Sequence, residues 1–308
     1  MSGIVHKPVV GLPRGLLYYY YGAAWVKFFE SLGAQVIVSG PTTKETLDLG
    51  GVIDEVCLPL KVYFGHVFHL CRRVEYLFVP RIISVSPGQY TCPKLIGLPD
   101  LLRGNVPDLP ELLSVDVSLK QGKGHLYQAV VNIGRRLGKS PWSCLQAWYR
   151  ACSGKNRWEF YRNSSSPGMR LRIGLIGHSY LIHDPLISMG IIDKLTQLET
   201  DVITPAMISR RQANHAAGSL HKRIFWSYCH QLAGAALAMI EQPAVDGLIF
   251  MTSFSCGPDS LIGEIIKQRA SAADVPFMLL SVDEHTADAG IVTRLEAFTD
   301  MLQRRKRD

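Results

Sequence analysis

Residues 9–40 read VVGLPRGLLYYYYGAAWVKFFESLGAQVIVSG. VVGLP (9–13) is a short apolar run ended by a Gly/Pro break, which is how a buried strand begins and stops. From about Gly22 to Leu32, Trp25, Phe28, Phe29 and Leu32 recur at three- and four-residue spacing, a helical period, and Gly33 stands where a helix cap belongs. AQVIVSG (34–40) is a second apolar run, too short for a helix. Strand, helix and strand at this spacing predict a parallel sheet covered by helices.

The same alternation continues outward. Thr42 is placed to cap a helix in TKETLDLG. A strand VCLP (56–59), a helix from Lys61 to Arg73 and a strand EYLFVPRII (75–83) follow. Between 109 and 166 the character changes: QAVVNIGRRLG and WSCLQAWYRAC read as helices, and KNRWEFYRNSSSPG (155–168) as a linker. A second alternating unit opens at RIGLIG (172–177) and runs through helix ISMGIIDKLTQL, strand DVITP, helix FWSYCHQLAGAALAMI, strand DGLIFMTSF, helix SLIGEIIKQRA and strand PFMLLSVD. The expected fold class is α/β, with two Rossmann-like parallel-sheet domains joined by a helical segment. The boundaries are an N-terminal domain at 1–108, a helical connector at 109–168 and a C-terminal domain at 169–308.

Composition narrows the function classes. With 308 residues, 47% hydrophobic and 19% charged, the chain is globular rather than disordered. The formal charge of +7 is scattered over Arg135, Arg136 and Lys139, over Arg170 and Arg172, and over a basic end at Arg304–Arg307. That dispersion argues against a nucleic-acid partner, which would draw the charge onto one element interleaved with aromatics. No apolar run reaches the roughly 18 residues a membrane span needs, and MSGIVHKPVV lacks the pattern of a secretory signal. Seven cysteines at irregular spacing do not form a disulfide framework, so a reducing cytoplasm is expected.

Three of those cysteines differ from the rest. Cys57 in EVCLPLK, Cys92 in GQYTCPKLIGLPD and Cys256 in FMTSFSCGPDS each fall at an expected strand–helix junction, with Pro59, Pro93 or Pro258 one or two residues on. Open α/β sheets place their ligands at the carboxyl ends of strands. Cys71, Cys144, Cys152 and Cys229 lie in helical patterns among apolar residues and read as core filler. Zinc is the rival metal, but structural zinc sites favour four ligands and a tight Cys-x-x-Cys pair, which is missing here. Three thiolates with an open fourth position suit a 4Fe-4S cluster.

In combination, the segments GLPRGLLYYYYGAAWVKFFESLGAQVIVSG, EVCLPLKVYFGHVFHL, FVPRII, CPKLIGLPD, IGLIGHSYLIHDP, MTSFSCGPDSLIGEII and PFMLLSVDEHTADAG resemble an acyl-CoA dehydratase activase-related family. That family is similar to the subunits of 2-hydroxyacyl-CoA dehydratases and to double-cubane iron–sulfur proteins. The resemblance implies two or three Rossmann-like domains with a cluster held between them by Cys57, Cys92 and Cys256, and low-potential electron transfer. It further implies a separate ATP-dependent activase or reductase as partner, an acyl-CoA substrate losing water by radical chemistry, and a homo- or hetero-oligomer. The chain has neither GxxxxGK[ST] nor the paired glycine loops of an actin-like activase, so it is not expected to be its own electron pump.

Around this site, His178, Tyr180 and Asp184 follow a strand and are candidates for substrate contact. Glu284 and His285 in DEHT (283–286) place a carboxylate beside an imidazole, a pairing suited to general acid–base work. Gly257 is expected to allow a tight turn at Cys256. His66, Lys61, Lys94 and Arg81 are candidates to support the cluster. Two functions follow: a dehydratase-like redox enzyme or enzyme component, or a cluster-bearing electron carrier in a reductase complex.

Overall fold

The computed structural model describes residues 6–153, 170–241 and 245–307; the linker expected at 155–168 lies outside them. The chain runs β1 (Val9–Leu12), α1 (Tyr18–Ser31), β2 (Gln35–Val38), α2 (Lys44–Leu49), α3 (Leu58–Leu70), β3 (Tyr76–Phe78), β4 (Arg81–Ser84), α4 (Pro93–Ile96), α5 (Leu98–Asn105), β5 (Glu111–Leu113), β6 (Asp116–Ser118), α6 (Lys123–Arg136) and α7 (Pro141–Ser153). It continues with β7 (Leu171–Ile176), α8 (Ser179–Ile182), α9 (Pro185–Ser188), α10 (Ile191–Gln197), β8 (Thr200–Ile203), α11 (Arg210–Ala217), α12 (Ser227–Glu241), β9 (Gly247–Ser253), α13 (Gly257–Ala272), β10 (Phe277–Val282) and α14 (Asp288–Arg307). Two compact units result, and the short segment Glu55–Pro59 belongs with the second rather than with its sequence neighbours.

Each unit carries a four-stranded, wholly parallel sheet, in the order β2-β1-β3-β5 in the first and β10-β9-β7-β8 in the second. The α/β class read from the sequence therefore holds, with a small parallel pair β4-β6 added. In both sheets the chain lays its second strand on one side of the first and its third on the other. The reversal point, β1/β3 in one sheet and β7/β9 in the other, is where open α/β sheets leave a crevice at the carboxyl ends.

Burial explains the strands. All of β9, GLIFMTS, is buried, as a central strand covered on both faces must be. In the first unit Val10, Leu12, Phe29, Phe78 and Leu113 form one core with Ile133 of α6 and Ala147 of α7. In the second, Ile176, Leu248 and Phe250 pack against Leu232, Ile262 and Ile266. Each such fully buried side chain contributes about 1.5–3 kcal/mol.

Several elements differ from their expected form. The apolar run 75–83 is two strands in two sheets, because Pro80 has no N–H to donate to a ladder and ends β3. VCLP is not a strand: Glu55 turns left-handed at φ 54° and the chain enters α3 at Leu58. The cap of α2 is Thr43, not Thr42, with a reciprocal bond to Thr46. ISMGIIDKLTQL breaks into α9 and α10, since Met189 and Gly190 both take left-handed φ of 51° and 65°. Residues 111–118 form β5 and β6, and α6 and α7 pack on the first sheet. Arg304–Arg307 is the last turn of α14.

Candidate functional site

The second sheet brings its site together at the β7/β9 reversal. β9 ends at Ser253, the chain turns through left-handed Ser255 (φ 66°), and Cys256 becomes the cap of α13. The Cys256 carbonyl accepts from the Ser260 N–H at 3.0 Å and the Ser260 hydroxyl at 2.9 Å, anchoring the first turn of the helix. The segment carrying Cys57 joins this strand end: the Leu58 N–H donates to the buried Ser253 Oγ at 3.2 Å across 195 positions of sequence. Cys57 therefore neighbours Cys256, and both precede a helix start, where unpaired amides favour negative charge.

Cys92 holds the same local position in the first unit. Thr91 donates its N–H to the Ile83 carbonyl at 2.9 Å and its hydroxyl to the Ile82 carbonyl, fixing it to β4, and Cys92 caps α4 with Pro93 at the first helical position. All three cysteines thus immediately precede helices. Cys92 and Cys256 come from strand-end loops, whereas Cys57, expected after a strand, follows an irregular turn.

Behind Cys256 lies a buried polar group. His178 caps α8 just past β7, and its Nε2 donates to Asp259 Oδ1 at 3.0 Å. The Cys229 thiol donates to the same oxygen at 3.7 Å, and Thr252 Oγ1 donates to Asp259 Oδ2 at 3.4 Å. His178 and Asp259 are 4% and 1% exposed. Tyr180 stacks on the His178 ring at 4.9 Å. Burial opposes ionisation of Asp259, but the His178 ring and hydrogen bonds from His178, Cys256 and Cys229 outweigh it and hold the carboxyl below its usual range. For Cys256 the directions reverse: burial, the Asp259 carboxylate and the Cys57 thiol all push its pKa up. Reactive nucleophilic cysteines sit in electropositive surroundings that lower the pKa. A metal-bound thiol, by contrast, is deprotonated outright by the cation. Two neighbouring thiols at this strand end are soft donors of the kind that could hold a thiophilic metal.

The remaining candidates separate. Asp184 is consumed in capping α9, accepting from the Leu186 and Ile187 amides at 3.0 and 3.1 Å. Glu284 and His285 stand 3.6 Å apart in the turn after β10, with His285 86% exposed. Strand β9 lies between β10 and β7, so this pair and His178 leave the sheet at non-adjacent strands. Asp283 closes the turn, accepting from Thr286 Oγ1 and the His285 amide, and these bonds hold its carboxyl below the usual range. Gly257 is the first residue of α13, and a Cβ there would meet no atom within 4 Å, so the tight turn belongs to Ser255.

In the first unit Arg81 is committed to Asp100, Asp116 and the Ile96 carbonyl. His66 is wholly buried on α3 and bonds Thr42 Oγ1 at 3.0 Å. Of the cysteines read as core filler, Cys144 is buried, Cys71 sits in a turn past α3 and Cys152 is exposed. Cys229 and Asp259 are functional-site neighbours that sequence reading missed. A buried acid in SCGPDS looks like a helix-start Asp until its partners are seen.

No helix among the described residues is long and apolar enough to cross a membrane. A comparison with curated proteins finds no match. Residues 209–302, from α11 into α14, match the 2-hydroxyglutaryl-CoA dehydratase D-component. Residues 9–208 match the CoA enzyme activase uncharacterised domain. The chain belongs to the CoA enzyme activase uncharacterised-domain family, with a 2-hydroxyglutaryl-CoA dehydratase D-component domain after it.

Proposed function

We propose that this chain holds an iron–sulfur cluster through Cys57, Cys92 and Cys256 and serves as a component of an acyl-CoA dehydratase-type system, supplied with electrons by a separate ATP-dependent activase. The observation that carries this reading is the pairing of Cys57 with Cys256 at the β9–α13 turn, held by the Leu58–Ser253 hydrogen bond. The family relationship supports it, because a dehydratase component and a CoA enzyme activase domain occur in one chain. When bound, such a cluster supplies one-electron transfer at low potential.

The protein's own residues do the remaining work. The helix starts after Cys57 and Cys256 would offer unpaired amides to an anionic group held there. Exposed His285 beside Glu284 gives and takes protons with a thioester substrate that loses water, the acid–base work dehydration requires.

The test is purification under strict anaerobiosis with iron and acid-labile sulfide analysis. We expect about four irons per chain, as for a single cubane, and loss of most iron in Cys57→Ala, Cys92→Ala and Cys256→Ala, with Cys144→Ala and Cys152→Ala unaffected. Stoichiometric zinc with iron near zero would sink the proposal. A thioester-dependent bleaching of the reduced cluster would favour the dehydratase role, and its absence with an intact cluster would favour a carrier.

A further inference from the structure

Three metal-ligating side chains meet inside the second unit, and none of them belongs to the cysteine set proposed for the cluster. His178 follows β7, Cys229 lies on α12 and Asp259 in the first turn of α13, so three separate elements deliver them. All are buried, at 4%, 3% and 1% exposure. One ligand atom from each lies within 4.8 Å of the other two. His178 Nε2 stands 3.0 Å and Cys229 Sγ 3.7 Å from the same oxygen, Asp259 Oδ1. Bond lengths in a tetrahedral zinc site place neighbouring nitrogen, oxygen and sulfur ligands about 3.3–3.6 Å apart. The two edges that meet at Oδ1 match such a site to within a few tenths of an ångström.

The surroundings orient these donors. Thr252 Oγ1 donates to the other oxygen, Asp259 Oδ2, at 3.4 Å, which leaves Oδ1 to His178 and Cys229. Tyr180 stacks on the His178 ring at 4.9 Å and Tyr228 meets it edge-on at 6.5 Å, fixing the imidazole plane. Metal centres hold their ligands with partners of this kind. Charge points the same way. A carboxylate and a thiolate together cancel a divalent cation, so the filled site is buried without net charge. A thiolate beside an imidazole selects zinc-like ions over magnesium or calcium.

We propose that His178, Cys229 and Asp259 form a binding site for a zinc-type divalent cation, separate from the cluster cysteines. The cation replaces the two protons that His178 Nε2 and the Cys229 thiol direct at Asp259 Oδ1. The Cys229 proton leaves to solvent, and the imidazole keeps one proton, on Nδ1. Bound there, the cation ties the β7 end to α12 and α13. His178, which the sequence offered as a substrate contact, and Cys229, which it offered as core filler, become ligands.

The test uses the full chain, reduced, stripped of metal with a chelator and titrated with Co2+ as a spectroscopic stand-in for Zn2+. Cys57, Cys92 and Cys256 are replaced by Ala so that they do not compete. We expect one Co2+ per chain, with tetrahedral visible bands and a single-thiolate charge-transfer band, all removed by Zn2+. Cys229→Ala, a change that a small buried thiol tolerates, should abolish the charge-transfer band and weaken binding at least about a hundredfold. Thr252→Val keeps all three ligands and should weaken binding about tenfold. Cys152→Ala, at an exposed position of α7, should change nothing. Zn2+ should raise the urea midpoint of the protein but not that of its Cys229→Ala variant. Absence of Co2+ uptake by the folded protein, or an undiminished charge-transfer band in Cys229→Ala, overturns the proposal and leaves a hydrogen-bonded cluster only. If the triple replacement does not fold, the parent and Cys229→Ala are compared directly, and equal bands overturn it. Iron analysis decides the cluster reading separately, because none of its ligands is used here.

Discussion

At His66 the fold sets an acid limit. The ring is wholly buried, its Nδ1 has no hydrogen-bond partner among the described residues, and its pKa falls from 6.5 to about 3, through burial first and then the charges of His69 and Arg14. In the unfolded chain the same ring takes a proton near pH 6.5. Between those values the unfolded state binds more protons, so stability is complete above pH 6.5 and drains as pH falls toward 3. The slope approaches about 1.4 kcal/mol per pH unit, so going from pH 7 to pH 5 should cost about 2 kcal/mol at this residue. His183, lowered to about 4 by burial, adds in the same direction. Urea denaturation at several pH values should show the loss. His66→Gln, which can still bond Thr42, should flatten the curve, and an equally steep curve in that variant would place the sensitivity elsewhere.

At the scale of elements, glycines mark where helices touch and where the chain changes direction. A Cβ on Gly234 of α12 would sit 2.2 Å from the Ala213 carbonyl oxygen of α11, a backbone atom that has no rotamer to escape into. Gly234→Val should therefore cost about 2–3 kcal/mol and lower the denaturation midpoint. Gly190, left-handed at φ 65°, separates α9 from α10, and Gly190→Val should cost about 1–2 kcal/mol through backbone strain. Gly257→Val should stay within about 0.5 kcal/mol of the parent, since nothing crowds the position. Comparable losses at all three would refute this ranking.

At the scale of the whole molecule, the family boundary and the sheet boundary do not coincide. The activase-type match ends at 208, after β8, and the dehydratase-type match begins at 209. Yet β7 lies between β8 and β9, and its Ile173, Leu175 and Ile176 are fully buried. A fragment ending at residue 208 would expose those side chains and an unpaired strand edge. We expect it to aggregate, whereas a chain that keeps β9, α13 and β10 should stay monodisperse in light scattering. A soluble, cooperatively unfolding 9–208 fragment would show that the two matched regions fold separately.

The sequence by itself determined the alternation of strands and helices, both parallel sheets and the local setting of Cys92 and Cys256, because these depend on hydrophobic period and on Gly/Pro breaks, which are local. It misplaced Cys57 after a strand, since VCLP satisfies an apolar run without the backbone that follows left-handed Glu55. It likewise read 75–83 as one strand, because an apolar run does not reveal where a proline ends one ladder and another begins. Only the tertiary structure decided that Cys57 meets Cys256, that His178 faces inward to Asp259 and that His285 faces outward. Those outcomes follow from strand order and from one hydrogen bond between residues 195 positions apart. Loops distant in sequence become neighbours only when the sheet fixes which strand ends stand side by side.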